Sequence, residues 1–248
     1  MKVYAVVPAA GLGSRLSSAI PKILTPINKT QTIWSLLRQK LLTVVDHINI
    51  IVSPVGEPLV REALSDDIKK NLVSLSIQKK PIGMGDAVFC GHSVWSEANV
   101  IVVVWGDQVF VSENTLKSAV SSHSGAPKTV ALPLTTFSNP YVEYIFQDNK
   151  LISVKESREG DQLAPVGLSD VGTFVLSVDG LSEEWENFRK HSKKGTCTGE
   201  INFLPFLPWL SMQNWQIKSL SVMDTLESRG INTREDLAFF QKIYEEAE

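Results

Sequence analysis

Only two cysteines, Cys90 and Cys197, occur in 248 residues. They form no C-x-x-C pair and no metal-ligand spacing, which excludes a disulfide framework and a zinc centre built on cysteine. Each reads as a buried or idle thiol, and a reducing cytoplasm suits them. An excess of one charge is missing too. The 24 Lys and Arg stand against 27 Asp and Glu, a net of -3, so no global field draws the chain to DNA or RNA. The short basic pairs Lys69-Lys70, Lys79-Lys80 and Lys193-Lys194 read as solvated faces. No apolar run approaches the roughly 20 residues that span a bilayer. No charged segment leads into an apolar one as an export signal would, because a core strand is expected from Val3. Repeats and low-complexity linkers are absent. His47, His92, His123 and His191 have neither metal spacing nor a paired nucleophile and read as structural or exposed. The expectation is one cytoplasmic unit over residues 1–248, with no nucleic-acid or membrane partner and with a homo-oligomer left open.

What is present is an ordinary apolar share, 43%, enough to bury a core without staples. In the front half, to about residue 125, short apolar runs alternate with helical patterns. Strands are expected at Val3–Val7, Ile48–Val52, Val73–Ile77 and Val100–Val104, and helices at Thr32–Leu42, Glu57–Leu64 and Asp86–Val94. Continuous apolar runs mark strands buried on both faces, so the pattern predicts an α/β, Rossmann-like, open and mostly parallel sheet flanked by helices. The second half reads as an inserted β-rich substrate lobe. It carries strands at Thr129–Leu134 and Val171–Val178, and a hairpin of Tyr141–Ile145 and Leu151–Val154 around Gln147-Asp148-Asn149-Lys150. Helices are expected at Leu181–Phe188 and Glu235–Glu246. Phe203, Phe206 and Trp209 at helical spacing, with Phe239 and Phe240, read as packing.

The chemistry starts where the first strand ends. Pro8-Ala9-Ala10-Gly11-Leu12-Gly13-Ser14-Arg15 is a small-residue loop between a strand and a helix. Glycines let backbone N–H groups approach phosphate oxygens, and a helix start adds a positive dipole end. Arg15 and Lys22 supply two cations, and Pro21 stiffens the approach to Lys22. No Gly-Lys-Ser/Thr follows, so this is no P-loop. The second strand ends in Ser53-Pro54-Val55-Gly56 without the ribose-binding acid of a dinucleotide fold, which disfavours an NAD-dependent reductase. Asp107 follows the most hydrophobic strand, at the strand end where open α/β sheets bind ligands. It reads as a metal carboxylate or a turn residue. Asn232-Thr233 reads as a ligand, a cap for the last helix, or both.

The segment Val6–Lys22 is similar to the signature of the sugar-1-phosphate nucleotidylyltransferases, most of all to the N-acetylglucosamine-1-phosphate uridylyltransferase domain. Gln78 to Val88, Trp105-Gly106-Asp107, Glu156 and Gly230 to Leu237 extend the resemblance over nearly the whole chain. It implies catalytic roles for Arg15 and Lys22, and nucleotide binding by Pro8, Ala9, Ala10, Gly11, Gly13, Ser14, Gln78, Gly83 and Met84. It implies substrate contacts at Gly106, Tyr141, Glu156, Asp170 and Gly172, and Mg²⁺ held by Asp107 and Asn232. Its partners would be a nucleoside triphosphate and a sugar phosphate, joined into an NDP-sugar with loss of pyrophosphate. No hexapeptide repeat follows, so the acetyltransferase half of the bifunctional members is not expected. The sequence departs from the family pattern mostly in the sugar-facing half: Asp170-Val171-Gly172 stands for Asn-Thr-Gly, and Leu204-Pro205 for Thr-Asp. Phosphate and metal handling are therefore expected, while base and sugar stay open. Val-Val-Pro-Ala-Ala-Gly also resembles the cytidylyltransferases of polyol phosphates, and a nucleotide-binding regulatory protein without turnover is a third reading.

Overall fold

The computed structural model describes residues 1–11 and 20–246. Among them, ten strands join one sheet. Its front holds β1 (Val3–Pro8), β2 (His47–Val52), β3 (Val73–Ile77) and β4 (Val100–Val104), in the order β3-β2-β1-β4 and all parallel. Every residue of β1, β2 and β4 is buried. Side chains alternate between faces along a strand. Val3, Ala5, Val7, Val102 and Val104 accordingly enter one core, and Tyr4, Val6, Ile101 and Val103 the other.

Helices cover both faces. They are α1 (Ile33–Leu41), α2 (Glu57–Ala63), α3 (Ser65–Lys69), α4 (Met84–Cys90), α5 (His92–Trp95) and α6 (Glu113–His123). α1 starts at Thr32, which exchanges hydrogen bonds with Ser35 as a capping box. α6 starts at Ser112, whose hydroxyl accepts the Thr115 N–H. The single helix expected over Asp86–Val94 is instead two, α4 and α5, joined at Gly91. Gly91 lies so close to β2 that a Cβ there would sit 2.3 Å from Asn49 Oδ1.

The back half adds β5 (Thr129–Ser138), β6 (Val142–Gln147), β7 (Lys150–Glu156), β8 (Val166–Asp170), β9 (Thr173–Ser177) and β10 (Gln216–Ser221). β6 and β7 form the expected hairpin. Its two loop residues, Asp148 and Asn149, both have positive φ, as a type I′ turn requires. β7, β8 and β9 run against the other seven strands. The strand expected over Val171–Val178 begins at Thr173 and continues a run that β8 starts. Both lie along β5: β8 pairs with Leu134–Ser138, and β9 with Val130 and Ala131. Between the two pairings β5 has Leu132 and Pro133, while the other side has Val171, Gly172, Thr173 and Phe174. The interruption falls at Pro133, which has no N–H for the ladder. The sheet forks there, because β9 carries β4 on its far side and β8 carries the β6–β7 hairpin.

The remaining helices are α7 (Leu181–His191), α8 (Phe206–Met212) and α9 (Arg234–Glu246). Phe203 and Phe206 are buried in the second core with Trp185, and Phe240 in the first. Cys90 and Cys197 are exposed, not buried, and form no disulfide. Cys90 lies at the end of α4, where its thiol donates to the Ile77 carbonyl, and Cys197 lies in a surface loop. His47 and His123 are buried and hydrogen-bonded, while His92 and His191 are exposed. Among the described residues no helix is long and apolar enough to cross a membrane.

Candidate active site

Three segments meet at the carboxyl ends of β1 and β4. The first is a 3-10 turn at Lys22–Leu24, entered from Pro21 in extended geometry (φ -52°, ψ 134°). The second is Trp105-Gly106-Asp107 after β4. Gly106 is packed so tightly on β1 that a Cβ would stand 2.9 Å from the Pro8 carbonyl oxygen. The third is the Gly230–Arg234 approach to α9, where the Ile231 N–H donates to the Asp107 carbonyl.

The side chains converge on one point. Lys22 Nζ donates to Asp107 Oδ2 at 2.6 Å and to Asn232 Oδ1 at 3.4 Å. Those partners are 85 and 210 residues away in sequence. Asn232 is free for this because the helix start is served by other residues. The Asp236 carboxylate accepts the N–H groups of Asn232 and Thr233, and Thr233 Oγ1 accepts the Asp236 N–H. Arg229 holds the other oxygen of Asp236. Burial works against the charge of Asp236, but these hydrogen bonds outweigh it and lower its pKa. The sequence alone assigns no role to Asp236 or Arg229; the spacing Thr233-x-x-Asp236 is a capping signal for Asp236, and no spacing marks Arg229.

Asp107 and Asn232 fit a hard divalent cation. Both present oxygen, and both already reach one cation, the Lys22 ammonium. Mg²⁺ keeps several waters, so two protein oxygens suffice. Among the described residues no three His, Cys, Asp or Glu side chains gather into a metal-binding group.

The fork in the sheet opens beside this point. The Gly172 carbonyl accepts the Trp105 N–H, which ties the interrupted strand to the tip of β4. Gly172 has φ +68°, and a Cβ there would lie 2.3 Å from Gln108 Cγ. Asp170 is buried: Oδ1 accepts the Gly172 N–H at 2.7 Å and Oδ2 the Tyr144 hydroxyl at 3.0 Å. Burial raises the Asp170 pKa against these bonds, and burial next to Asp170 raises Tyr144 well above the usual tyrosine value. Asp170 thus shapes the turn at Gly172. Glu156, at the end of β7, is buried and bound by Arg158 Nε at 2.8 Å. Burial raises its pKa, and Arg158 offsets part of that. Tyr141 is exposed, and its carbonyl accepts the Ser157 N–H next to Glu156. A cavity of about 240 Å³ borders Glu156, Asn202, Lys193 and Lys194.

On the other side of β1, Gln78 is buried and its amide nitrogen donates to the Gly83 carbonyl and to Asp86 Oδ2. Gly83 has φ +138° and presses on the Ile201 backbone, and Met84 opens α4. Ala10 is buried, Ala9 donates its N–H to the Ile51 carbonyl, and Gly11 is exposed. Gly13, Ser14 and Arg15 lie outside the described residues.

The model of the MobA-like NTP transferase domain matches residues 5–164, and the chain belongs to that family. Among curated proteins it is similar to the bifunctional protein GlmU of Thermotoga maritima, 26% identical over 242 residues, covering 96% of this chain and 50% of that protein. The bifunctional protein GlmU of Mycobacterium marinum is 30% identical over 246 residues, covering 94% and 48%. The chain thus spans about half the length of the curated relatives it matches. Its fold is shared with a protein of Bacillus anthracis provisionally assigned as a glucose-1-phosphate thymidylyltransferase and solved with sucrose. That likeness has a TM-score of 0.75 at 15% identity and covers 97% of this chain and 94% of the other.

Proposed function

We propose that the chain transfers a nucleotidyl group from a nucleoside triphosphate to a sugar 1-phosphate, releasing pyrophosphate and forming an NDP-sugar. The observation that carries this reading is the meeting of Asp107, Asn232 and Lys22 at the carboxyl end of a parallel sheet. Family membership supports the reaction class. In the reaction an oxygen of the sugar phosphate attacks the α-phosphorus, and pyrophosphate leaves in line. Such a transfer asks the protein for positioning and charge neutralisation rather than covalent chemistry. Gly11, with Gly13, Ser14 and Arg15, receives the β- and γ-phosphates. Lys22 neutralises charge at the reacting phosphorus. Mg²⁺ held by Asp107 and Asn232 would supply Lewis-acid stabilisation of the phosphoryl oxygens. Gln78, Gly83 and Met84 face the base, and Glu156, Tyr141, Asp170 and Gly172 shape the acceptor side.

The test is pyrophosphate release from each of five triphosphates with a panel of sugar 1-phosphates and polyol phosphates. Release with a sugar 1-phosphate supports the reading, and release with polyol phosphates alone replaces it. Tight triphosphate binding without release from any pair would make the protein a non-catalytic binder. In the active pair, Lys22→Ala is expected to fold normally and lose ~10²–10³ in turnover. Asp107→Ala is expected to abolish turnover; an active variant still stimulated by Mg²⁺ would mean a different ligand set.

A further inference from the structure

We propose that Lys22 is the resident counter-ion of the metal site, so that a divalent ion binds tightly only when the lysine is drawn away by the phosphates of the nucleotide. The inference rests on the nucleotidyl-transfer reading and deepens it. Lys22 Nζ lies 2.6 Å from Asp107 Oδ2 and within reach of Asn232 Oδ1, the two oxygens a hard cation would use. Lys22 binds both of the other side chains, and the Lys22 and Asp107 side chains are only 22% and 17% exposed. Mg²⁺ sits roughly 2.0–2.1 Å from its oxygen ligands. An ion on Asp107 Oδ2 and an ammonium on the same atom would be two like charges almost in contact, which the partly dry site cannot tolerate. The two therefore compete for the same oxygens.

The ligands themselves do not depend on Lys22. The main chain of Asp107 is held by the Ile231 N–H, and that of Asn232 by Asp236. Gly230 fills the gap between them: a Cβ there would lie 3.1 Å from Asp107 Cγ and 3.3 Å from Asn232 Nδ2. Removing the ammonium therefore exposes a formed pair of oxygens rather than dispersing it. Phosphate oxygens give the displaced lysine a destination. Coupling between two ligands is reciprocal, so a triphosphate that raises metal affinity is itself bound more tightly when metal is present.

The experiment uses the full chain and Mn²⁺ as probe, with free Mn²⁺ read by electron paramagnetic resonance and no nucleotide added. Lys22→Met and Lys22→Gln are each expected to bind Mn²⁺ roughly tenfold more tightly than the wild type, the gain from removing a like charge at contact distance. Adding Asp107→Asn to either variant is expected to erase the gain. Equal or weaker Mn²⁺ binding in both neutral variants, with wild-type circular dichroism, overturns the proposal. So does a gain that survives Asp107→Asn. Calorimetry of a triphosphate in EDTA tests the nucleotide reading separately: absence of binding there sinks that reading, while the Mn²⁺ titration still decides the role of Lys22.

Discussion

His123 shows how one buried side chain sets a pH limit. Its Nε2 lies 3.0 Å from the Thr129 carbonyl, and its Nδ1 accepts the Gly125 N–H. Nδ1 is therefore an acceptor, and a second proton would face an N–H donor. Burial lowers its pKa from the ordinary 6.5, against the Thr129 carbonyl and with help from Lys218. The unfolded chain then binds the proton more readily than the folded one, so stability falls as pH drops from about 6.5 through the depressed value. Melting temperature measured between pH 7.5 and 5 is expected to fall in the wild type and to vary less in His123→Gln. Glu159 works at a lower pH. Burial opposes its charge, but donors from Thr198, Asn202 and the Cys197 backbone hold its pKa at about 2. At this scale the sequence was most legible where a residue abuts a strand end. Asp107 could be named for that reason, and Lys22 because it follows the glycine loop directly behind Pro21. Tyr144 could not, because its importance lies in its partner Asp170, 26 residues away, which only folding brings near.

Among the elements, β8 and β9 form one interrupted run along β5, and Gly172 lies in the interruption, packed against Gln108. An L-residue at φ +68° costs roughly 1–2 kcal/mol before any clash. Gly172→Ala adds a Cβ 2.3 Å from Gln108. It is expected to lower stability by at least that amount in urea unfolding. It is also expected to displace Trp105, visible as a change in tryptophan fluorescence. The parallel front was readable because β1, β2 and β4 are buried on both faces and so spell continuous apolar runs. β8 and β10 escaped notice. Val-Gly-Leu-Ser-Asp and Gln-Ile-Lys-Ser-Leu-Ser bury little of themselves and owe their form to pairing with β5. The strand expected over Thr129–Leu134 runs through Pro133 but stops short of Ser138, because the last residues of β5 are mostly polar and only partly buried.

For the molecule as a whole, the sheet passes without a break in pairing from β3 to β7, and each core draws residues from both halves. Ile231 and Phe240 sit in the same core as Val3 and Leu37, and Tyr144 and Leu151 share the other with Tyr4. Thermal unfolding is therefore expected as one transition, with calorimetric and van't Hoff enthalpies equal. Two resolved transitions would mean that the front and back fold separately. Alternating strands and helices were enough to foresee the architecture, and the back half was not legible in the same detail because its residues are set by loops and ion pairs. The forked sheet has one more consequence. The hairpin pairs with β8 and β4 with β9, so within the sheet the two sides are joined only through β5, on either side of Pro133. Substitutions on the hairpin side can therefore accumulate, strand by strand, while the parallel front that seats Asp107 keeps its pairing.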